Sequence, residues 1–268
     1  MLNQHKNLMH IIIFSWLGLA IGCQANKDDS STQSTVRSTI TLSTDASISD
    51  SKTSKLSIVE HPSLDGESNR QTRQESKWVF VGDSLTAGYG LESEAAYVAL
   101  IQAKIRQGNW LDSESKSVPK LINAGISGDT SAGALRRLDW LLADQPSRVF
   151  LCIGANDGLR GQSTAALKKN LTTMIQKIKK KRIKITLMGM QVPPNYGPEY
   201  SVQFKQSYVD VAREQKVSLY PFLLKDVAGV AKLNQSDGIH PNHEGQKVIA
   251  EQLFNYILKQ AYLSKAAQ

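Results

Sequence analysis

From residue 77 onward, short apolar runs alternate with segments whose apolar residues recur at helical spacing. Lys77-Trp78-Val79-Phe80-Val81 ends at Gly82 and reads as a buried strand. Tyr97, Leu100, Ile101 and Ile105 then repeat with the period of a helix. Lys120 to Ile126 reads as a second strand, with Leu135, Leu138, Leu141 and Leu142 marking the helix behind it. Arg148 to Ile153 is a third strand, followed by a helix from Ser163 to Lys181. Ile183 to Met190 is a fourth strand, followed by a helix from Ser201 to Gln215; Val217 to Tyr220 is a short fifth, and Asn242 to Gln260 a closing helix. Parallel strands need crossover connections, usually helices, so this alternation predicts one α/β domain over residues 77–264. Its parallel five-stranded sheet is covered by helices on both faces.

The first part of the chain has a different pattern. Met1 to His10 is polar with Lys6 as its clear charge, and Ile11 to Ile21 is apolar, broken only by Ser15 and Gly18. That run is shorter than the roughly 20 residues needed to cross a bilayer, and it fits the hydrophobic region of a secretory signal. It ends in Ala20-Ile21-Gly22-Cys23, which resembles the lipobox of bacterial lipoproteins, with Ala20 where leucine is usual. The expectation is a signal peptide over 1–22 and lipidation of Cys23, giving an exported, membrane-anchored protein. Gln24, rather than Asp, after that cysteine points to the outer membrane of a Gram-negative envelope, facing the periplasm. Residues 23–76 are rich in Ser and Thr, with no aromatic residue before Trp78. They carry too little apolar surface to offset the entropy of ordering, so a tether is expected.

Composition narrows the remaining possibilities. The 268 residues are 41% hydrophobic, enough for an ordinary core. Lys plus Arg number 32 against 24 acidic residues, a formal charge of +8 that favours anionic surfaces. Two cysteines in unlike surroundings, Cys23 and Cys152, build neither a disulfide framework nor a cysteine metal site. Cys152 lies mid-strand among apolar neighbours and reads as an inert buried thiol.

In doubly wound sheets, ligands bind beyond the carboxyl ends of the strands. Four unusual segments fall there or just before a helix: Gly82 to Gly90, Asn123 to Thr130, Gly154 to Gly158, and Asp237-Gly238-Ile239-His240-Pro241-Asn242. Together they supply what acyl transfer requires. A serine hydroxyl needs a neighbouring base, so Ser84 is the candidate nucleophile and His240 its base. A carboxylate must hold the imidazole tautomer, and Asp237 lies three residues before His240. Donors for the oxyanion are the amides of Ser84 and Gly128 and the side-chain NH₂ of Asn156. A competing reading makes His240, His243 and Asp237 ligands of a metal. It leaves Gly-Asp-Ser without a role, and no metal is expected.

The four segments resemble the blocks of the GDSL, or SGNH, hydrolase superfamily, whose letters match Ser84, Gly128, Asn156 and His240. The wording of Gly82 to Gly90, Ile126 to Thr130, Asn156 to Gly161, Pro194 to Gly197 and Asp237 to Asn242 is similar to its periplasmic thioesterase I/arylesterase/lysophospholipase branch. Ala155 departs from a position that is often glycine, and the long tether departs from the compact members. The resemblance implies a flavodoxin-like three-layer α/β/α fold and no cofactor. It also implies a Ser-His-Asp triad acting on acyl esters, thioesters or lysolipids. Deacetylation of an envelope polysaccharide, or an anchored binding protein without catalysis, are the alternatives.

Two further features carry expectations. Pro194, Asn195 and Tyr196, in the loop after the fourth strand, are expected to line the substrate pocket. Lys177, Lys179, Lys180, Lys181, Arg182 and Lys184 form a basic run at a helix C-terminus, where cations complement the helix dipole. Anionic lipid headgroups are a second reading of that run. Nucleic acid is not expected as a partner, since no aromatic residues are interleaved. Oligomeric state leaves no mark in the sequence.

Overall fold

The computed structural model describes residues 75–265. The expected signal segment, the lipidation site at Cys23 and the tether up to residue 74 lie outside those residues. Five parallel strands form the sheet: β1 (Lys77–Gly82), β3 (Lys120–Gly125), β4 (Arg148–Cys152), β5 (Lys184–Met188) and β6 (Ser218–Tyr220), in the spatial order β3-β1-β4-β5-β6. This is a flavodoxin-like winding that reverses direction between β1 and β4, where the crevice for ligands opens.

Helices cover both faces. Helices α2 (Tyr97–Gln107) and α7 (His243–Lys259) pack on one another, while α5 (Thr164–Lys180) packs against α3 (Ser131–Leu141) and α6 (Pro198–Gln215). Helix α6 starts three residues before the expected Ser201, with Pro198 in its first turn, where a missing N–H costs nothing. Asn242 is the cap of α7: its side chain accepts from the amides of Glu244 and Gly245 at 3.0 and 3.1 Å. The apolar runs become the core. Trp78, Phe80 and Phe150 on adjacent strands are wholly buried, with the Phe80 and Phe150 rings stacked 4.4 Å apart.

One element had no signal in the pattern. Strands β2 (Trp110–Asp112) and β7 (Leu263–Lys265) pair antiparallel at the opposite end from the crevice. Each has three residues, too few to show an alternation. Buried Arg148 supports this ribbon, its guanidinium lying 3.6 Å from the ring centroid of Tyr262 and 5.1 Å from that of Trp78. Among the described residues no helix is long and apolar enough to cross a membrane.

Candidate active site

Strand β1 ends at Gly82, in register with Gly125 at the end of β3. Short helix α1 (Ser84–Ala87) is seated directly on this pair. A Cβ on Gly82 would lie 2.0 Å from Thr86 Oγ1, and one on Gly125 would lie 2.3 Å from the Ala87 amide. Two side-by-side glycines therefore let the first turn of α1 rest on the strand ends, with Ser84 at its start.

His240 reaches that turn from a loop 156 residues away in sequence: its Nε2 is 2.9 Å from Ser84 Oγ, and its Nδ1 is 2.7 Å from Asp237 Oδ2. The other carboxylate oxygen of Asp237 accepts from the amides of Ile239 and His240, both at 3.0 Å. Burial pushes the Asp237 carboxyl up, but those amides and the imidazole outweigh it and hold the pKa at about 2. Asp237 is thus an anion at any working pH. The ring of Tyr89 lies over the other side of the imidazole, centroids 4.6 Å apart, and Gln235 Nε2 ties the Tyr89 carbonyl to the same loop at 2.6 Å. Nothing in the sequence singled out Tyr89 for that position.

The remaining donors come from the ends of β3 and β4. Asn156 opens the short helix α4 (Ala155–Leu159), and its Nδ2 donates to the Asp129 carbonyl at 3.0 Å. Gly128 has φ +79, and an added Cβ would meet only Arg160 Nη2, at 3.7 Å. The backbone conformation, rather than crowding, is what asks for glycine there. Two clamps hold this loop. Arg137 donates to Asp129 Oδ2 at 2.8 Å, to the Ala124 carbonyl at 2.8 Å and to the Gly82 carbonyl at 2.9 Å. Asp157 accepts from the amide and hydroxyl of Ser131 at 2.8 and 2.5 Å. Arg137 does not stand out in the sequence, since an arginine inside an amphipathic helix looks like surface, and the Gly154 to Gly158 segment that holds Asp157 gave that residue no role of its own.

Beneath Ser84 lies Asp83, wholly buried. Its Oδ1 caps α1 by accepting from the Leu85 amide at 3.1 Å, while Oδ2 has no partner. Burial raises its pKa from 3.8 to about 7 against the opposing pull of the Leu85 amide. Cys152, at the end of β4, is also wholly buried, and burial pushes its thiol up to about 12, so it is no nucleophile.

Ser84, Asn156 and His240 border a cavity of about 620 Å³. Its walls are mostly apolar: Leu159, Val192, Pro193, Phe222, Leu224 and Ile239. Of the loop residues named for the substrate pocket, Pro194 borders this cavity and Asn195 and Tyr196 do not. Tyr196 turns aside because its hydroxyl donates to the Leu159 carbonyl at 2.7 Å, and its ring contributes to a shallow separate depression. The alternative metal set is not assembled. His243 turns to Glu92, Nε2 to Oε2 3.0 Å, and both nitrogens of His240 are engaged by Ser84 and Asp237.

Comparison with known proteins converges on the same segments. The model of the GDSL-like Lipase/Acylhydrolase family matches residues 80–248. The chain is 42% identical over 175 residues to "Esterase TesA" of Pseudomonas aeruginosa, covering 65% of this chain and 84% of that protein. It is 38% identical over 174 residues to "Thioesterase 1/protease 1/lysophospholipase L1" of Escherichia coli K12, covering 65% and 79%. The solved structure of the psychrotrophic esterase EstA from Pseudoalteromonas sp., inhibited by monoethylphosphonate, superposes with a TM-score of 0.65. That match has 38% identity and covers 70% of this chain and 99% of that one.

Proposed function

Because the chain belongs to the GDSL-like lipase/acylhydrolase family and hydrolyses acyl esters or thioesters, we propose that Ser84 is its nucleophile, His240 the general base and Asp237 the orienting anion. One observation carries this reading: an unbroken chain of contacts, 2.9 and 2.7 Å, from the Ser84 hydroxyl through the imidazole to a carboxylate, at the mouth of an apolar cavity.

In the first half-reaction His240 Nε2 takes the hydroxyl proton as Ser84 Oγ bonds to the acyl carbon. The imidazolium is stabilised by Asp237. The amides of Ser84 and Gly128 and the second N–H of Asn156 are the donors for the oxyanion; removing one such donor costs about 10²–10³ in rate. Collapse passes the proton from His240 to the departing alcohol or thiol and leaves acyl-Ser84. Water then attacks the acyl carbon, giving its proton to His240; the bond to Ser84 Oγ breaks as Oγ takes that proton back, which releases the carboxylic acid and restores the free hydroxyl. The apolar walls at Leu159, Val192, Phe222 and Leu224 suit an acyl chain longer than acetyl. That favours general esters, thioesters or lysolipids over sugar acetates.

Residues 1–22 act in this reading as a lipoprotein signal, Cys23 as the lipidated residue and 23–76 as the tether of residues 77–264 to the envelope. Its support is the apolar Ile11 to Ile21 run followed by Gly22-Cys23. A Cys23→Ala protein that stayed with the membrane fraction after carbonate washing would refute the anchor.

The catalytic assignment is tested with a fluorophosphonate probe and p-nitrophenyl esters of increasing acyl length. The parent should be labelled once and Ser84→Ala not at all, with turnover down at least about 10³-fold. Full turnover by Ser84→Ala would end the assignment.

A further inference from the structure

The parallel sheet has two unlike edges. At the carboxyl edge, around Ser84, the exposed groups Glu92, Glu94, Asp237 and Glu244 mix with Lys232 and Lys247. At the amino edge, where every strand begins, cations dominate. Lys177 pairs with Asp139, Lys179 donates to the Gln215 carbonyl and Lys184 pairs with Glu114. Lys116, Lys120, Lys180, Lys181, Arg182 and Lys216 remain, all exposed and none in an ion pair among the described residues. Complementing helix C-termini explains Lys180 and Lys181. It does not explain Lys116 or Lys120, which belong to no helix end. Lys116, Arg182 and Lys216 also occupy left-handed turn positions, φ 53, 58 and 50, where Gly or Asn is least strained.

A second, independent feature lies on the same edge. Trp140, in the last turn of α3, is 79% exposed, more than any other large hydrophobic side chain among the described residues. Its chain neighbour Asp139 pairs with Lys177, which puts the last turn of α3 next to the C-terminal end of α5. An exposed Trp among unpaired cations is the pairing found where proteins meet a bilayer, the ring at headgroup depth and the cations on lipid phosphates. The main chain also enters the fold on this edge, at Lys77.

From these observations we infer that the amino edge of the sheet, with Trp140, Lys180, Lys181 and Arg182 at its centre, docks on anionic lipid headgroups and turns the Ser84 cavity toward the aqueous side. The lipid is favoured over other polyanions because the cations spread over a broad face of strand starts and helix ends rather than a groove, and because a solvent-exposed indole lies on the same edge. Of the apolar residues near Ser84, Tyr89 lies against His240 and Ile239 lines the cavity, while Ile126 stands alone in solvent. The carboxylates around them would be repelled by the same membrane. This orientation rests on the proposed active site and anchor. It narrows the substrates to esters or thioesters that arrive from solution.

The test uses residues 24–268, which lack the anchor and keep the whole described fold, so vesicle binding reads the surface and not Cys23. The protein should co-sediment with phosphatidylglycerol-containing vesicles at low salt, leave them at high salt and ignore pure phosphatidylcholine. Each cation near an anionic surface accounts for about fivefold in partitioning, so Lys180→Glu/Lys181→Glu/Arg182→Glu should weaken binding by about 100-fold or more. Lys116→Glu/Lys120→Glu, a second variant far from the first in sequence, should weaken it at least about 20-fold. Lys232→Glu/Lys247→Glu, at the other edge, should leave it unchanged. Lipids brominated in the acyl chain should quench the parent's fluorescence, and Trp140→Phe should abolish that quenching. Vesicle-bound protein should hydrolyse a water-soluble p-nitrophenyl ester at the free rate. Equal binding by parent and both amino-edge variants, quenching that survives Trp140→Phe, or loss of soluble-ester turnover on the vesicle would each overturn the inference. So would tight binding of duplex DNA with the vesicles ignored.

Discussion

Asp83→Asn tests the electrostatics beneath Ser84. The parent carboxyl is wholly buried with one oxygen unpartnered, and burial raises its pKa from 3.8 to about 7. The unfolded chain gives up this proton near the ordinary value, whereas the folded chain keeps it until near neutrality. Between about pH 4 and pH 7 the folded state therefore binds more protons, and stability falls as pH rises through that window, then levels off. A shift of about three units at about 1.36 kcal/mol each makes the loss roughly 4 kcal/mol. Asparagine keeps the shape and can still accept from the Leu85 amide, but it cannot ionise. Its buried NH₂ costs about 1–3 kcal/mol at every pH. The assay is urea unfolding of parent and variant at pH 4 and pH 8. The variant should be the less stable protein at pH 4, and the difference should move in its favour by roughly 4 kcal/mol at pH 8. All other titrations are common to both proteins and cancel. A difference that is the same at both pH values would refute the reasoning, because Asp83 would then ionise alike in the folded and unfolded chains.

Asp237→Asn should lower kcat about 10³–10⁴-fold with little change in unfolding midpoint, since the residue is exposed and its proposed task is to hold the imidazole tautomer. Because the Asp237 carboxyl titrates at about 2, its own protonation should not appear in the parent's pH–rate profile above pH 4, and an ionisation there that disappears in Asp237→Asn would contradict the arrangement. Arg137→Gln should reduce kcat about 10–100-fold with KM nearly unchanged, because it frees Asp129, whose carbonyl receives Asn156; a pure KM effect would count against a positioning role. Leu224→Trp should fill part of the cavity and shift the preferred p-nitrophenyl ester to a shorter acyl chain, while an unchanged chain-length profile would remove that wall from the substrate site.

The local pattern of the chain carried the architecture. Short apolar runs foretold where β1, β3, β4, β5 and β6 lie, and helical spacing foretold the segments that cover them. Ser84, Gly128, Asn156, Asp237 and His240 were legible because each lies in a short segment of unusual composition at a strand end or before a helix. The gaps lie where a role depends on residues far apart in the chain. A three-residue strand such as β2 or β7 has no period to detect, and it exists because its partner lies about 150 residues away. Arg137 looks like any helix arginine until folding brings the carbonyls of Gly82 and Ala124 to it.

What the sequence by itself determined, then, is a parallel sheet wrapped by helices and the set of chemical groups delivered to its carboxyl edge, since both follow from local pattern and from the crossovers that parallel strands need. Only the tertiary structure decided that Asp83 is buried with an unpaired oxygen, that Tyr89 covers His240, that Tyr196 turns away from the cavity and that Trp140 is left in solvent. Burial, desolvation and ring contacts are properties of packing between remote segments. No single stretch of chain contains them.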